Sequence, residues 1–308
     1  DEEHRLQFLE TAKFAREFAQ FALQIFDDVV LKNKEYVELV TGDIYKMETY
    51  YMGLVNKDNK VDFYDGDVRV VDPEGKEFAK FKPQEYLEHI AEHVEPWTYI
   101  KFPFLKKVGW KGFVEGKDSG IYRVAPLARL NVADGMATPL AQEAYEKMYE
   151  TLGGKPSHHT LAFHWARLIE ALQAAEKMVE LLENKDITDP NIRNIPTETP
   201  KEGIGIIEAP RGTLIHHYKT DEKGIITEAN LIVATVNNAA AITMSIEKAA
   251  KAFIKGGKVD DGILNLAEMA FRPYDPCHAC GTHALPGDMP LEICIYDHEG
   301  ELIKKLKK

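Results

Sequence analysis

The sequence is poor in cysteine, in positive charge and in long apolar runs, and each shortage excludes a class of protein. Three of the 308 residues are cysteine, too few for the disulfide framework of a small secreted domain. Lys and Arg number 38 against 50 Asp and Glu, a net charge of −12, whereas proteins that bind nucleic acid are normally basic. No uncharged apolar run approaches the roughly 20 residues of a membrane span. We therefore expect neither a nucleic-acid partner nor a membrane span.

The remaining composition is that of a globular chain kept in a reducing compartment. Hydrophobic residues make up 44% of the sequence, too many for a disordered chain and enough for a large core. The cysteines are confined to the last tenth of the sequence, as expected for a metal or redox role in a reduced compartment. The first residues, 1–5, are not a signal peptide. They include no initiator Met, so we expect a fragment or a processed form.

Hydrophobic patterning predicts a mainly α fold with small antiparallel β elements, an α+β class. A body over residues 1–200 carries a small β meander at about 50–82. An active-site region with β elements and a metal motif follows at 201–283. The expected helices lie at about 4–31, 83–95, 139–152, 161–182, 237–255 and 262–271. The expected strands outside the meander lie at 204–209, 213–233, 291–296 and 301–306, and a loop region is expected at 96–130.

The first and the fourth of these helices carry the clearest signals. Phe14, Phe18, Phe21 and Ile25 recur at helical spacing, with alanines on a second face, which predicts a helix buried inside a larger assembly. The helix around Trp165 has an apolar stripe at alternating spacings of four and three, typical of core or interface packing.

The sharpest motif lies at residues 275–283, which read Asp-Pro-Cys-His-Ala-Cys-Gly-Thr-His. Cys277 and Cys280 are three positions apart, so a turn brings both sulfurs to one side, where they can bind one soft metal. A thioredoxin-type site is disfavoured, because the motif does not follow a strand-then-helix pattern. A tetrahedral zinc site needs four ligands and no second Cys-x-x-Cys exists, so either histidines or ligands from elsewhere would complete it.

Three blocks, in order over residues 204–283, resemble the large subunits of nickel–iron hydrogenases. Residues 275–283 are similar to the C-terminal metal motif of that family. Residues 208–212, Glu-Ala-Pro-Arg-Gly, resemble its Ala-Pro-Arg-Gly motif, and residues 233–238, Val-Ala-Thr-Val-Asn-Asn, resemble the stretch beside the iron's diatomic ligands. The flanks of the metal motif look like the cytoplasmic members linked to methyl-viologen or heterodisulfide chemistry. The resemblance is to the C-terminal part of such a large subunit.

The resemblance implies metal-binding roles for three residues. Cys277 would be a terminal nickel ligand and the proton acceptor when H₂ is split. Cys280 would bridge nickel and iron. His283 would bind a structural divalent ion, usually magnesium, and would end the mature chain.

It also implies roles for three residues around the open metal position. Arg211 would hold its guanidinium over that position and donate to a cyanide ligand, with Pro210 beside it, and Thr235 would donate to the other cyanide. The chemistry is consistent, because a metal-bound thiolate supplies a base next to a Lewis acid, and a fixed cation stabilises anionic ligands.

By the same resemblance the chain would be the catalytic subunit of a cytoplasmic enzyme that reversibly converts H₂ to protons and electrons. Its cofactors would be a nickel–iron centre with CO and cyanide on the iron, and magnesium. Electrons would leave through a separate iron–sulfur small subunit, because three cysteines cannot hold clusters as well. A maturation chaperone and a C-terminal endopeptidase are the other implied partners.

Residues 284–308 resemble the tail that family precursors carry until nickel is inserted. We expect cleavage between His283 and Ala284, which would remove the last 25 residues. Cys294 lies in this tail and is expected to be a buried hairpin thiol rather than a ligand.

The chain also departs from the family pattern. The family takes two more cysteines from an N-terminal Arg-x-Cys-Gly-x-Cys motif, which is absent here, and many members have Pro in place of Ala234. The chain can therefore form half of the nickel–iron site, and truncation is the preferred explanation. Two alternatives remain: an inactive precursor or scaffold awaiting metal, and a zinc-binding structural protein that uses Cys277, Cys280 and His283. Metal analysis separates them.

Overall fold

The computed structural model describes residues 1–282 and 292–307, in which helices alternate with small sheets. The helices are α1 (Glu2–Phe26), α2 (Lys34–Thr41), α3 (Tyr86–His89), α4 (Pro126–Val132), α5 (Pro139–Thr151), α6 (Phe163–Glu183), α7 (Ala234–Asn237), α8 (Ala239–Phe253), α9 (Asp261–Glu268) and α10 (His278–Thr282). The strands are β1 (Tyr50–Val55), β2 (Asp67–Val71), β3 (Glu77–Phe81), β4 (Ile90–Val94), β5 (Lys101–Leu105), β6 (Tyr122–Arg123), β7 (Glu202–Ala209), β8 (Gly212–Thr220), β9 (Ile226–Ile232), β10 (Glu292–Tyr296) and β11 (Leu302–Lys307). The predicted mixture of helices and small, mostly antiparallel sheets is confirmed.

Helix α6 is the centre of the helical body. Trp165, Leu172 and Val179 of the predicted stripe are buried, and α6 packs against α1, α4 and α5. The stripe is buried because its alternating spacing of four and three keeps these side chains on one face of the helix.

Helix α1 packs on α6 with its alanine face and with Phe26, whose ring lies 5.1 Å from that of Trp165, rather than with Phe14 and Phe18. Ala12 and Ala19 are buried, whereas Phe14 and Phe18 are 66% and 61% exposed within this chain. The periodicity identified two apolar faces, but it could not show that the chain buries the alanine face and leaves the phenylalanine face exposed. The helix also ends earlier than predicted, and a π-helical turn, Asp27–Leu31, follows it.

The predicted meander is a sheet in the order β3-β2-β1-β6, with β6 added parallel to β1. Strands β7, β8 and β9 form a second antiparallel sheet. The predicted terminal hairpin is present as β10 and β11, and Cys294 on β10 is half-buried rather than buried.

Two predictions between residues 83 and 130 are wrong. The helix expected over 83–95 ends at His89, and Ile90–Val94 is a strand paired with Lys101–Leu105. The region expected to be a loop contains that second strand and the helix Pro126–Val132. All seven residues of α4 are buried, so α4 has no solvent-exposed face and lacks the amphipathic pattern that reveals a surface helix.

Among residues 1–282 and 292–307, no helix is both long and apolar enough to cross a bilayer. Helix α4 lies against β1 and α6, which places its residues between the helical body and the meander sheet.

Candidate metal centre

The structure brings the three sequence blocks to one place. Residues 208–212 form the turn between β7 and β8, residues 233–238 contain α7, and residues 275–282 lead into α10. Side-chain hydrogen bonds link the turn to Asp275 and α7 to Cys277. Five of the six predicted site residues therefore lie in this region, and the sixth, His283, lies outside the described residues.

The turn that carries Arg211 is a tight hairpin. Ala209 of β7 pairs with Gly212 of β8, which leaves Pro210 and Arg211 as the connecting residues. Gly212 has a φ of +124°, in a region of backbone conformation that is nearly restricted to glycine. A Cβ atom at Gly212 would also collide with the side chain of Val124. The conformation of the turn therefore depends on glycine at this position.

Arg211 reaches the residue that begins the cysteine motif. Its Nε donates to the backbone oxygen of Asp275 at 2.6 Å, and its Nη2 donates to the Asp275 carboxylate at 3.4 Å. Asp275 has a φ of +52°, a left-handed conformation that Asp tolerates better than most residues. The Arg211 side chain is 41% exposed, so one side of the guanidinium contacts Asp275 while part of it faces open space.

Thr235 fixes the other side of the motif. Its hydroxyl accepts a hydrogen bond from the backbone N–H of Cys277 at 3.2 Å, and its side chain is buried at the start of α7. Asn237 and Asn238, in the same block, tie α7 to the sheets, with Asn237 donating to Thr213 at 2.8 Å and Asn238 accepting from Val124 at 2.9 Å. The third block is thus an anchor for the cysteine motif.

The two cysteine sulfurs are on the same side of the turn, as their spacing predicted. Their Cα atoms are 5.3 Å apart and the sulfurs pair as a disulfide. Cys277 is half-buried and Cys280 is exposed. Once reduced to thiolates, two sulfurs this close together fit one soft metal and supply half of a four-thiolate set. Among the described residues, no group of three or more His, Cys, Asp and Glu side chains is arranged to hold a metal ion.

A buried ion-pair network, which sequence reasoning missed, lies directly beneath the turn. Arg129 of α4 donates to both carboxylate oxygens of Glu170 on α6, at 2.6 Å each, and to Glu208 on β7 at 2.7 Å. Burial raises the pKa of Glu208, and the Arg129 guanidinium limits that rise. Glu208 belongs to the Glu-Ala-Pro-Arg-Gly block, but its partners are remote in sequence and left no local signal.

Arg167, on α6 beside this network, was also missed. Its Nη2 donates to the backbone oxygen of Pro273 at 2.8 Å, two residues before Asp275. Its Nε is buried without a hydrogen-bond partner in the described part of the chain, and desolvation lowers its pKa. Helix α6 therefore contacts the segment that leads into the cysteine motif.

Comparisons with known proteins agree with this geometry. The profile of the nickel-dependent hydrogenase family matches residues 6–283. The chain is 50% identical over 307 residues to an F420-non-reducing hydrogenase iron-sulfur subunit of Archaeoglobus profundus, covering 99% of this chain and 63% of that protein. It is 40% identical over 292 residues to the beta subunit of the NAD-reducing hydrogenase HoxS of Cupriavidus necator, covering 93% of this chain and 57% of that protein.

Among solved structures, a NAD⁺-reducing [NiFe]-hydrogenase in the H₂-reduced state superposes with a TM-score of 0.82 at 35% identity, covering 92% of this chain and 60% of that one. A Dm. baculatum [NiFeSe]-hydrogenase, at 20% identity and a TM-score of 0.60, shares the fold. The chain thus spans about 60% of the length of the relatives it matches.

Proposed function

We propose, from the premise that this chain belongs to the nickel-dependent hydrogenase family, that it is the catalytic part of a nickel–iron hydrogenase that interconverts H₂ with protons and electrons. The observation that carries the proposal is the contact between the Arg211 turn and Asp275. It brings a guanidinium from one block to the start of the cysteine motif, while Thr235 of another block binds Cys277. A structural zinc site would need no such cation at its edge.

In this proposal Cys277 and Cys280 would hold the nickel–iron centre as thiolate ligands. A nickel–iron centre would supply a Lewis acid at the open position, and the bound Cys277 sulfur would serve as the adjacent base. Arg211 and Thr235 would donate to cyanide ligands of the iron, with Pro210 beside the guanidinium. The two further thiolates of a four-thiolate centre would come from outside the 308 residues.

The proposal extends to the partners and the processing that the family resemblance implies. Electrons would pass to an iron–sulfur small subunit, and the assembly would be cytoplasmic. His283 would bind a magnesium ion, and residues 284–308 would be a precursor tail. A chaperone and an endopeptidase would load the centre and remove that tail. Intact mass after maturation in nickel-replete cells tests this last step, since retention of the 25 residues in active enzyme contradicts it.

The activity is tested on the assembled protein isolated from its own cells. Nickel and iron contents and H₂-dependent reduction of a viologen dye are measured for the wild type and for Arg211→Lys, because Lys cannot reproduce the planar, multi-donor contact of Arg. We expect both metals in both proteins and a loss of turnover on the order of 100-fold in the variant.

The matched control is Arg193→Lys, at an exposed loop position, and we expect it to keep full turnover. Zinc without nickel in the wild type would contradict the proposal and support a structural zinc protein. Equal loss of metal and activity in Arg211→Lys would contradict the catalytic role given to Arg211 and make it a structural residue.

A further inference from the structure

We propose that Arg129 is the positioning residue of this site, which holds the β7–β8 turn so that Arg211 faces the cysteine motif. The inference rests on the proposed function for its catalytic consequence, but the contacts that carry it belong to this chain alone. Arg129 forms its hydrogen bonds with the two carboxylates and the turn, and it would act through Arg211.

The charges of the Arg129 network are deeply buried. The side chain of Arg129 is 2% exposed, and those of Glu170 and Glu208 are 8% and 0% exposed. Burying three ionised groups is costly unless each is paired and hydrogen-bonded. Apolar side chains of similar volume would fill the same space, so the presence of these buried charges points to a requirement for geometry rather than for stability.

Arg129 also contacts the turn itself. Besides its two carboxylate partners, Arg129 donates through Nη1 to the backbone oxygen of Ala209 at 2.9 Å and through Nη2 to that of Pro210 at 3.4 Å. These are the two carbonyls immediately before Arg211. A guanidinium has five N–H donors in a rigid plane, and here that plane links α6, β7 and the turn in one arrangement.

The strands below the turn are fixed through Glu208. Its carboxylate accepts from the backbone N–H of Leu54 on β1 at 3.0 Å and from the hydroxyl of Thr213 on β8 at 2.9 Å. Both strands of the hairpin are therefore tied to the carboxylate that Arg129 binds. Movement of the turn would break several charge-assisted hydrogen bonds together.

Helix α6 provides a common frame for the turn and the cysteine motif. Glu170, which holds Arg129, lies one helical turn after Arg167, which holds the backbone oxygen of Pro273. Residues three apart lie on the same helix face. The same face of α6 thus holds the turn that carries Arg211, through Arg129, and the segment that carries Asp275, through Arg167. These two contacts set the distance between Arg211 and Asp275.

The decisive variant is Arg129→Lys, which keeps the charge but has a single nitrogen in place of the planar fork. In the full metal-free chain, hydrogen exchange of peptides covering residues 209–212 should be at least about tenfold faster than in the wild type, the equivalent of about 1.4 kcal/mol. Residues 214–220 of β8 and strand β9 should keep their protection. Arg69→Lys is the matched control, because Arg69 donates to the Val132 oxygen of α4 at 2.7 Å from the opposite end. Arg69→Lys should leave hydrogen exchange of residues 209–212 at the wild-type rate.

The catalytic consequence is tested by a double-mutant cycle in the assembled enzyme. We expect Arg129→Lys to lower turnover about tenfold with nickel and iron retained, because small misplacements of a catalytic group have large effects. The double variant with Arg211→Lys should be no slower than Arg211→Lys alone, since Arg129 would act only through Arg211. A purely structural residue would instead give multiplicative losses.

Unchanged exchange of residues 209–212 in Arg129→Lys would overturn the proposal, and so would multiplicative losses in the cycle. If Arg129→Lys does not fold, Glu170→Gln takes its place, with the same directions and smaller effects expected. The exchange experiment needs no hydrogenase activity, so an inactive wild type would contradict the proposed function and leave the positioning role of Arg129 to be judged by exchange.

Discussion

Replacing Gly212 by alanine should be among the most damaging single substitutions that add one methyl group to this chain. The φ of +124° at Gly212 is a conformation that costs a residue with a side chain about 1–3 kcal/mol. The added Cβ would also lie 2.9 Å from Val124 Cβ and 3.0 Å from the backbone nitrogen of Ala125. Overpacking of a buried site adds about 1–3 kcal/mol. The expected loss of stability is therefore about 2–6 kcal/mol, a large part of the roughly 5–15 kcal/mol typical of a domain.

Gly224 provides the matched control, because it also has a positive φ, +79°. Among the residues that the structure describes, a Cβ there would meet only Thr199 Cγ2, at an ordinary contact distance of 3.5 Å. Gly224→Ala should therefore cost about 1–2 kcal/mol, from backbone strain alone. Urea unfolding of the metal-free chain measures both variants, and the mid-points of the two ranges put the expected difference at about 2.5 kcal/mol.

Equal losses for the two variants would refute the claim that the close approach of Gly212 to Val124 fixes the turn. A second readout comes from the site: Gly212→Ala should speed hydrogen exchange in residues 209–212, whereas Gly224→Ala should leave this turn protected. A destabilised chain with an unchanged turn would mean that the strain is relieved elsewhere.

Two further predictions concern single hydrogen bonds and pH. Thr235→Val removes the acceptor of the Cys277 N–H, so exchange of that amide should be about fivefold faster, the equivalent of about 1 kcal/mol. The control is Thr243→Val, because the Thr243 hydroxyl donates to Ala239 within its own helix, and it should leave exchange of the Cys277 amide unchanged. Burial lowers the pKa of His158 from 6.5 to about 4, so its neutral form favours folding above about pH 6.5, and up to about 3 kcal/mol of that contribution is lost as the pH falls toward 4. Urea unfolding at about pH 7 and about pH 4.5 should show a smaller pH effect in His158→Gln, and an identical effect would contradict this account.

The parts of the fold that could be predicted are those whose signal is local. The stripe of α6 repeats over several helical turns, and the hairpins have turn residues between alternating strands, so each appears within a short window. The segments over 83–130 fail for two different reasons. Ile90–Val94 is a strand because it pairs with Lys101–Leu105, a partner that helical spacing does not reveal. Helix α4 is buried on all sides, so its residues show no alternation of polar and apolar faces.

The candidate site divides in the same way. The groups proposed to bind or contact the metals lie in contiguous motifs, because a turn or a short helix must present them together. The residues that set the distance between those motifs do not lie close together in the sequence, because Arg129 is 41 positions from Glu170 and 79 from Glu208. An isolated arginine and an isolated glutamate carry no pattern until the chain has folded.

Substitutions outside the motifs are therefore expected to disturb this site. A change at Arg129 or Glu170 leaves Cys277, Cys280 and Arg211 in place, so inspection of the motifs would assign the variant a complete site. The contacts indicate otherwise, because removing one member of a buried ion-pair network leaves its partners uncompensated, and removing Arg129 also releases the two carbonyls before Arg211. Arg211 would then remain in the sequence while losing the backbone support that directs it toward the cysteine motif. The geometry of this site therefore depends on α4 and α6 as much as on the motifs.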